Sequence, residues 1–391
     1  MNIIIFYILG IALVYRVILL ILKRKEEITS DARDYHLLAL SLMKWKYHVP
    51  DTKLDQFRTP GYPFFISLIY RLFGTGQMPV FVIQIIINLA SIYLTYLIGS
   101  MMFGQITGIF AAFVLCIDPD FIYHIFDILT ETLFTFLLLL SIYLMLLFDR
   151  TGSIAYSILI GLTLAAMTYI KPGAGLLPVI YCLFLPFYEM IHLSFFYLAP
   201  LLLWMLRNYF EYGFFRLCSI SGYNLLVYNV GEPKRDPHAY IYWKATLWTR
   251  INHGFEESDR NTKLAIKAII KHQWEFIINQ FKGIYRLLFG LTLQLFKNRF
   301  QPVEMGISKC PLTPTKRNIK RIMKSMQLFQ LIYLCCLYLT GIAGAFKAGY
   351  DGLLLAGIIL YFVLLPGGAG SARYRVPVIP LIVLFVINII I

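Results

Sequence analysis

The chain is poor in charge: only 14% of its 391 residues are Asp, Glu, Lys or Arg, against about 25% in ordinary soluble domains. With 59% hydrophobic residues and a mean hydropathy of +0.70, that scarcity excludes a water-soluble globular protein. Cysteine is sparse as well. The six are Cys116, Cys182, Cys218, Cys310, Cys335 and Cys336, with no metal-ligand spacing. Four of them fall in apolar stretches as small core residues, whereas Cys218 and Cys310 share a long polar loop and are a candidate disulfide if it is extracytoplasmic. The seven histidines contain no metal-binding pair at helical spacing. There is no glycine-rich phosphate loop, which argues against a nucleotide-binding domain. The absence of any Asn-x-Ser/Thr sequon disfavours a secretory-pathway glycoprotein. No internal repeat or low-complexity segment occurs.

Long apolar runs are what the chain has instead. A spanning helix needs about 20 mostly apolar residues, and the sequence predicts spans near 3–22, 80–99, 106–123, 131–148, 154–170, 174–190, 193–208, 327–346, 352–366 and 377–391. The expected fold is therefore all-α: a polytopic integral membrane protein of about ten transmembrane helices. The first span lacks a basic start and a small-residue cleavage site, and reads as a permanent helix. Arg16 lies inside it, near enough to an end to snorkel. The stretches 61–73 and 276–296 carry Arg71, or Lys282 and Arg286, and are predicted to be interfacial or re-entrant. Three parts follow: 1–211 with about seven spans and a first loop at 23–78, a long loop at 212–326 with interfacial helices, and 327–391 with about three spans.

With ten spans, one membrane face receives 23–78, 124–130, 171–173, 209–326 and 367–376. The other receives tight turns such as 100–105, 149–153 and 347–351. The chain has 35 Lys and Arg against 21 Asp and Glu, a net charge of +14, and nearly all of the excess falls on the first face. So strong a bias in so few charges points to an anionic partner such as phospholipid or a phosphorylated lipid carrier. Nucleic acid is excluded as a partner, because no compact basic domain stands outside the bilayer. The positive-inside rule would make the basic face cytoplasmic, yet it weakens for loops as long as these.

In the first loop, ITSDARDYHLLALSLMKW (28–45) repeats Tyr35, Leu38, Ala39, Leu42 and Trp45 at helical spacing, which predicts an amphipathic helix on the membrane surface. Asp31 and Asp34 share its first turn and one direction. They fit two roles: an N-cap with a dipole-complementing carboxylate, or a general base for an acceptor hydroxyl. FRTPGYPFF (57–65) follows. Pro60 and Pro63 stiffen the backbone and Gly61 permits a sharp turn, so that Arg58 and Tyr62 are held in place. A fixed Arg suits a phosphate oxygen, or it snorkels to headgroups.

Lys171, Arg207, Arg373 and Arg375 reach the same face as Asp31. Asp127 and Glu131 stand at i and i+4 at the start of the fourth span, where an ionised carboxylate is costly without a partner. Glu131 is either a first-turn residue beside a capping Thr130, or a second acidic group that orients a catalytic cation or binds a metal. The long loop carries a mixed-charge helix near 258–281 and a basic segment at 297–324. Its aromatics (Tyr223, Tyr228, Tyr240, Tyr242, Trp243 and Trp248) suit stacking on sugars or anchoring at headgroups.

An aspartate opening an amphipathic helix after the first span (DARDYHLLALSL), followed by RTPGYP, resembles the C-type glycosyltransferase superfamily. Within it, the protein O-mannosyltransferases and lipid A aminoarabinose transferases are the most similar group. DILTETLFTFL at 127–137, a Lys-Pro at 171–172, WMLRNY at 204–209 and RYRVPVIP at 373–380 extend the resemblance over nearly the whole chain. The long loop matches in placement alone. The resemblance implies an inverting transfer of a sugar from a polyprenyl-phosphate donor to a glycan, lipid or protein acceptor on the extracytoplasmic face, in a prokaryotic plasma membrane. The superfamily's catalytic aspartate falls on Asp31, with Asp34 able to share its role. The basic residue that binds the carrier phosphate falls on Arg58, joined by Lys171, Arg207, Arg373 and Arg375, while Tyr35 and Tyr62 position substrate. A divalent metal is a candidate cofactor, with Asp31, Asp127 and Glu131 as its ligands. However, Phe57 stands where the aminoarabinose transferases place an acidic residue, which weighs against a metal in this loop.

Two other readings compete. A polymerase or ligase of undecaprenyl-diphosphate glycans would also use basic residues on an extracytoplasmic loop. A transporter or flippase for lipid-linked sugars would place polar groups near the midplane of broken helices.

Overall fold

The computed structural model describes residues 3–23, 28, 30–230, 254–290 and 316–391. Tyr240, Tyr242, Trp243, Trp248, Cys310 and most of the basic segment 297–324 lie outside the described residues. What is described is helical throughout. Six helical stretches are long and apolar enough to cross a bilayer, or seven if the bent pair Gln105–Ile117 and Pro119–Phe126 is one span. Helices Ile154–Ile170 and Pro172–Cys182 are apolar but shorter. One stretch, Gln327–Leu364, has 38 residues, about twice the length a single crossing needs. It is a descent and a return: a Cβ on Gly352 would lie 3.0 Å from the Phe385 ring, whereas Tyr361 donates back to the Gly173 carbonyl.

The sixth and seventh predicted spans are divided differently from expectation. A turn of helix at Leu177–Cys182 precedes one 26-residue helix, Phe187–Tyr212. Pro186 stands at the N-cap of that helix, where the missing N–H leaves no intrahelical hydrogen bond unmade. The mixed-charge helix of the long loop is two helices, Phe255–Lys271 and Gln273–Phe289, which meet at His272.

Arg16 does not snorkel. It is fully buried and closes the break in the Gln105–Phe126 pair, which bends by 59°. Pro119 cannot continue the helical hydrogen bonds, so carbonyls of the preceding turn lose their partners. Arg16 Nη1 donates to the Cys116 carbonyl at 3.1 Å, and its Nε to Asn88 Oδ1 at 2.7 Å. Asn88 in turn donates to the Phe121 carbonyl across the break. The one charge inside the first span is thus a structural cap.

The first loop folds onto the top of this bundle. Helix Ser30–Met43 buries Asp34, Tyr35, Leu38 and Ala39, which agrees with the predicted periodicity. Trp45 departs from it: the helix has ended, its φ is +59°, and the ring is 83% exposed with the Arg71 guanidinium 4.0 Å from its centre. Leu38, Leu54 and Phe57 pack with Tyr223 and Val227 in a small core of their own, so that the two long loops are one layer above the membrane-spanning helices.

Candidate active site

Five sequence segments deliver the site. Helix Ser30–Met43 brings Asp31 and Asp34 on its first turns. The RTPG turn brings Arg58. Gly61 matters here through close approach and not through a turn, since it opens helix Gly61–Phe73 and a Cβ on it would lie 2.7 Å from the Tyr169 carbonyl carbon. That contact sets Arg58 beside the end of helix Ile154–Ile170, where Lys171 emerges. Glu131 starts the preceding, membrane-spanning helix Glu131–Thr151, and Arg373 comes from the turn of 3-10 helix at Ala372–Val378. Thr130 does not cap Glu131's helix with its side chain.

These residues form one chain of alternating charge. Arg58 donates to Asp34 Oδ2 through Nε at 3.2 Å and Nη2 at 2.7 Å, and to Asp31 Oδ1 at 2.6 Å. Asp31 Oδ2 accepts from Arg373 Nη1 at 3.1 Å. Arg373 Nε then lies 3.0 Å from Glu131 Oε1, which also accepts from Lys171 Nζ at 3.1 Å. Three carboxylates thus face three cations, and the exposures divide them. Asp34 and Glu131 are sealed at 3% and 0%, and Arg58 nearly so at 8%, whereas Asp31, Lys171 and Arg373 are 19%, 21% and 26% exposed. Asp31, Lys171 and Arg373 form the open side of the cluster, and the sealed carboxylates Asp34 and Glu131 anchor the cations beside them.

Burial disfavours a charged guanidinium, but the Asp31 and Asp34 carboxylates outweigh it and hold Arg58 well above its ordinary range. Tyr35 lies beneath this guanidinium, 5.0 Å from ring centre to Cζ, and meets Tyr62 edge-on. Burial pushes the Tyr35 hydroxyl up to about 12 and the Tyr62 hydroxyl well above its usual value, so both stay protonated. Tyr62 is wholly buried and donates to Gln84 Oε1, while Gln84 donates to the carbonyls of Ile125 and Asp127. Tyr62 therefore braces the site from below and does not line it. Gln84 itself was missed by the sequence reading, although a glutamine within an apolar span is a visible signal. Tyr374, whose ring centre is 5.1 Å from Lys171 Nζ, was missed too.

Two expected phosphate ligands are elsewhere. Arg375 is 1% exposed and locked in two-pronged contact with Asp120, with Nε–Oδ2 at 2.9 Å and Nη2–Oδ1 at 2.9 Å. Its Nη1 donates to the carbonyls of Leu287 and Leu288. Arg207 donates to Asn208 and Tyr212 and lies 5.1 Å from the Trp204 ring centre. Tyr212 passes that contact to Asp55, which also takes His48 at 2.9 Å. Asp127 sits apart as well, its Oδ2 3.8 Å from His124 Nδ1. Among the described residues no three His, Cys, Asp or Glu side chains are grouped to hold a metal ion. Asp31 and Glu131 each already face cations, a donor set that suits arginine and lysine better than a divalent ion.

Comparison with known proteins agrees with this architecture. Residues 57–207 match the family model for dolichyl-phosphate-mannose-protein mannosyltransferase. The apo oligosaccharyltransferase of Archaeoglobus fulgidus superposes with a TM-score of 0.54 at 14% identity, covering 98% of this chain and 50% of that one. The chain has the C-type glycosyltransferase fold. A second structure of the archaeal enzyme, in complex with an inhibitory peptide and a dolichol-phosphate, gives 0.52 at 14% identity over 97% of this chain and 50% of that one. ArnT of Cupriavidus metallidurans bound to undecaprenyl phosphate gives 0.45 at 13% identity, covering 98% of this chain and 77% of its own. No curated protein sequence matches. The chain spans about half the length of the oligosaccharyltransferase it matches. The matched segment 57–207 runs from the residue before Arg58 through Glu131 and Lys171 to Arg207, and omits Asp31 and Arg373.

Proposed function

We propose that the chain is an inverting glycosyltransferase that moves a sugar from a polyprenyl-phosphate donor to an acceptor hydroxyl on the extracytoplasmic side of a prokaryotic plasma membrane. The observation that carries this reading is Asp31, a partly exposed carboxylate shared between Arg58 and Arg373. In that arrangement Arg58, Arg373 and Lys171 take the phosphate oxygens, where paired N–H donors suit a phosphate. An arriving phosphate competes with Asp31 for the same N–H groups and frees a carboxylate oxygen. That oxygen accepts the proton of the acceptor hydroxyl as its oxygen bonds to the anomeric carbon. The bond from that carbon to the phosphate oxygen breaks, and the cations stabilise the charge that collects on the leaving phosphate. Asp34 and Glu131 are positioning residues, each anchoring a cation that meets the donor. The solved relatives support the donor class in part, since one was determined with a dolichol-phosphate.

The basic face is then extracytoplasmic, and its charge serves the donor. The test is transfer by the purified chain in liposomes from labelled sugar donors on monophosphate and diphosphate polyprenyl carriers. Release of polyprenyl monophosphate in step with glycosylated acceptor is expected. Turnover of the diphosphate donor alone would instead identify a polymerase or ligase, and carrier crossing without sugar transfer would identify a flippase.

A further inference from the structure

The long loop has a second basic, partly apolar feature that the proposed reaction does not use. Helix Gln273–Phe289 has two unlike faces. Its inner face grips the glycine turn that precedes Arg373: a Cβ on Gly283 would lie 1.8 Å from the Gly367 carbonyl oxygen. Gln280 Oε1 accepts from the Gly368 N–H at 2.8 Å, and Arg286 Nη2 donates to the Gly368 carbonyl at 2.6 Å. Arg286 Nε reaches Gly370 at 3.3 Å. Such close backbone approach leaves no room for the helix to be anything but a fixed wall.

The outer face is open. Ile278, Phe281 and Tyr285 are 50%, 67% and 65% exposed. With Lys282 and Arg286 they line a shallow groove of about 430 Å³ that contains no acidic residue. Among the described residues Lys282 makes no ion pair or hydrogen bond, and Arg286 Nη1 is likewise unused. A groove with apolar walls and two unneutralised cations fits an amphiphile with an anionic head. The helix also abuts the membrane-spanning helix Lys316–Ala348, where Tyr338 donates to the Leu288 carbonyl at 2.8 Å and meets Phe289 edge-on, so the groove lies beside a membrane-spanning segment.

We propose that this groove is a binding site for an anionic bilayer phospholipid, separate from the donor site. Its acyl chain lies along Ile278, Phe281 and Tyr285, and its phosphate contacts Lys282 and Arg286 Nη1. The site does not depend on the transfer reaction being correct. Because Arg286 also holds Gly368 and Gly370, the lipid joins the bilayer to the turn that aims Arg373.

The test is native mass spectrometry of the full chain in detergent, titrated with phosphatidylglycerol or phosphatidylcholine. One phosphatidylglycerol should bind in preference to phosphatidylcholine, with about fivefold weaker binding in Lys282→Gln, the effect of removing one cation near an anionic headgroup. Lys282→Arg should restore it, and Lys267→Gln, an exposed cation outside the groove, should leave it unchanged. Equal loss with Lys267→Gln would show diffuse attraction and overturn the proposal. Equal binding of the zwitterionic lipid, or displacement by inorganic phosphate or polyprenyl phosphate at matching concentration, would overturn it too.

Discussion

Arg373 and Arg375 lie two residues apart on the same turn and do opposite things. Arg375 is 1% exposed, paired through both prongs to Asp120 and to two backbone carbonyls. Arg373 is 26% exposed and divides its donors between Asp31 and Glu131. A cation at the edge of the bilayer is thus either fully satisfied and sealed, which makes it part of the frame, or incompletely enclosed and available to a ligand. The 3-10 geometry of Ala372–Val378 explains the split. With about three residues per turn, positions two apart point about 120° from each other.

Removing one member of the sealed pair should have the largest effect. Arg375→Ala leaves Asp120 charged and unpartnered in the interior, at about 3–5 kcal/mol, and should lower the thermal midpoint or abolish folded yield. Replacing Arg375 and Asp120 together by Met and Leu should recover much of that loss; if the double variant is as unstable as the single, the pair does more than hold the frame.

Gly61→Ala should come next. The new Cβ would meet the backbone of Tyr169 and Ile170 at 2.7–2.9 Å, an overpacking cost of about 1–3 kcal/mol. It should reduce thermal stability and transfer together, because the contact sets Arg58 beside Lys171. Arg373→Ala should behave differently. Asp31 and Glu131 each keep another cation, so stability should change little, while the donor KM rises about tenfold, equivalent to about 1.4 kcal/mol. A large fall in stability would place Arg373 with Arg375.

The smallest effect concerns the seam between the two long loops, where Lys53 Nζ lies 3.2 Å from both oxygens of Glu257. Partial burial pushes the Glu257 carboxyl up, but hydrogen bonds from its own backbone, from Lys53 and from the Gly254 N–H hold it below its ordinary value of 4.5. A lowered folded-state value means that the contribution is present above the ordinary value and is lost as pH falls through the lowered one. The hydrogen-exchange protection factor at the start of helix Phe255–Lys271, the rate corrected for its intrinsic pH dependence, should therefore fall on acidification in that range. The effect should be under about 1 kcal/mol for so exposed a pair, and Lys53→Met should reduce it, leaving the part owed to the backbone N–H donors.

Much of this was legible in the sequence because it rests on local pattern. The period of Tyr35, Leu38 and Ala39 predicts the surface helix, and counting spans by parity puts Asp31, Arg58, Glu131, Lys171 and Arg373 on one face, where the structure brings them together. What was not legible depends on tertiary partners. Nothing near Arg375 in sequence names Asp120, 255 residues away, and nothing near Arg16 shows that a proline break at Pro119 leaves carbonyls for it. Trp45 continues the helical spacing on paper, yet the helix stops at Met43 before reaching it. Gly61 was read as a turn residue, whereas its work is to admit the backbone of another helix.

In the proposed reaction Asp31, the open carboxylate of the cluster, takes the acceptor's proton. Single-turnover transfer by Asp31→Asn, with donor binding and thermal unfolding measured on the same preparation, tests it most directly. The variant should fold, still bind the donor and transfer sugar at least about 10²-fold more slowly. Transfer at the wild-type rate would contradict that role.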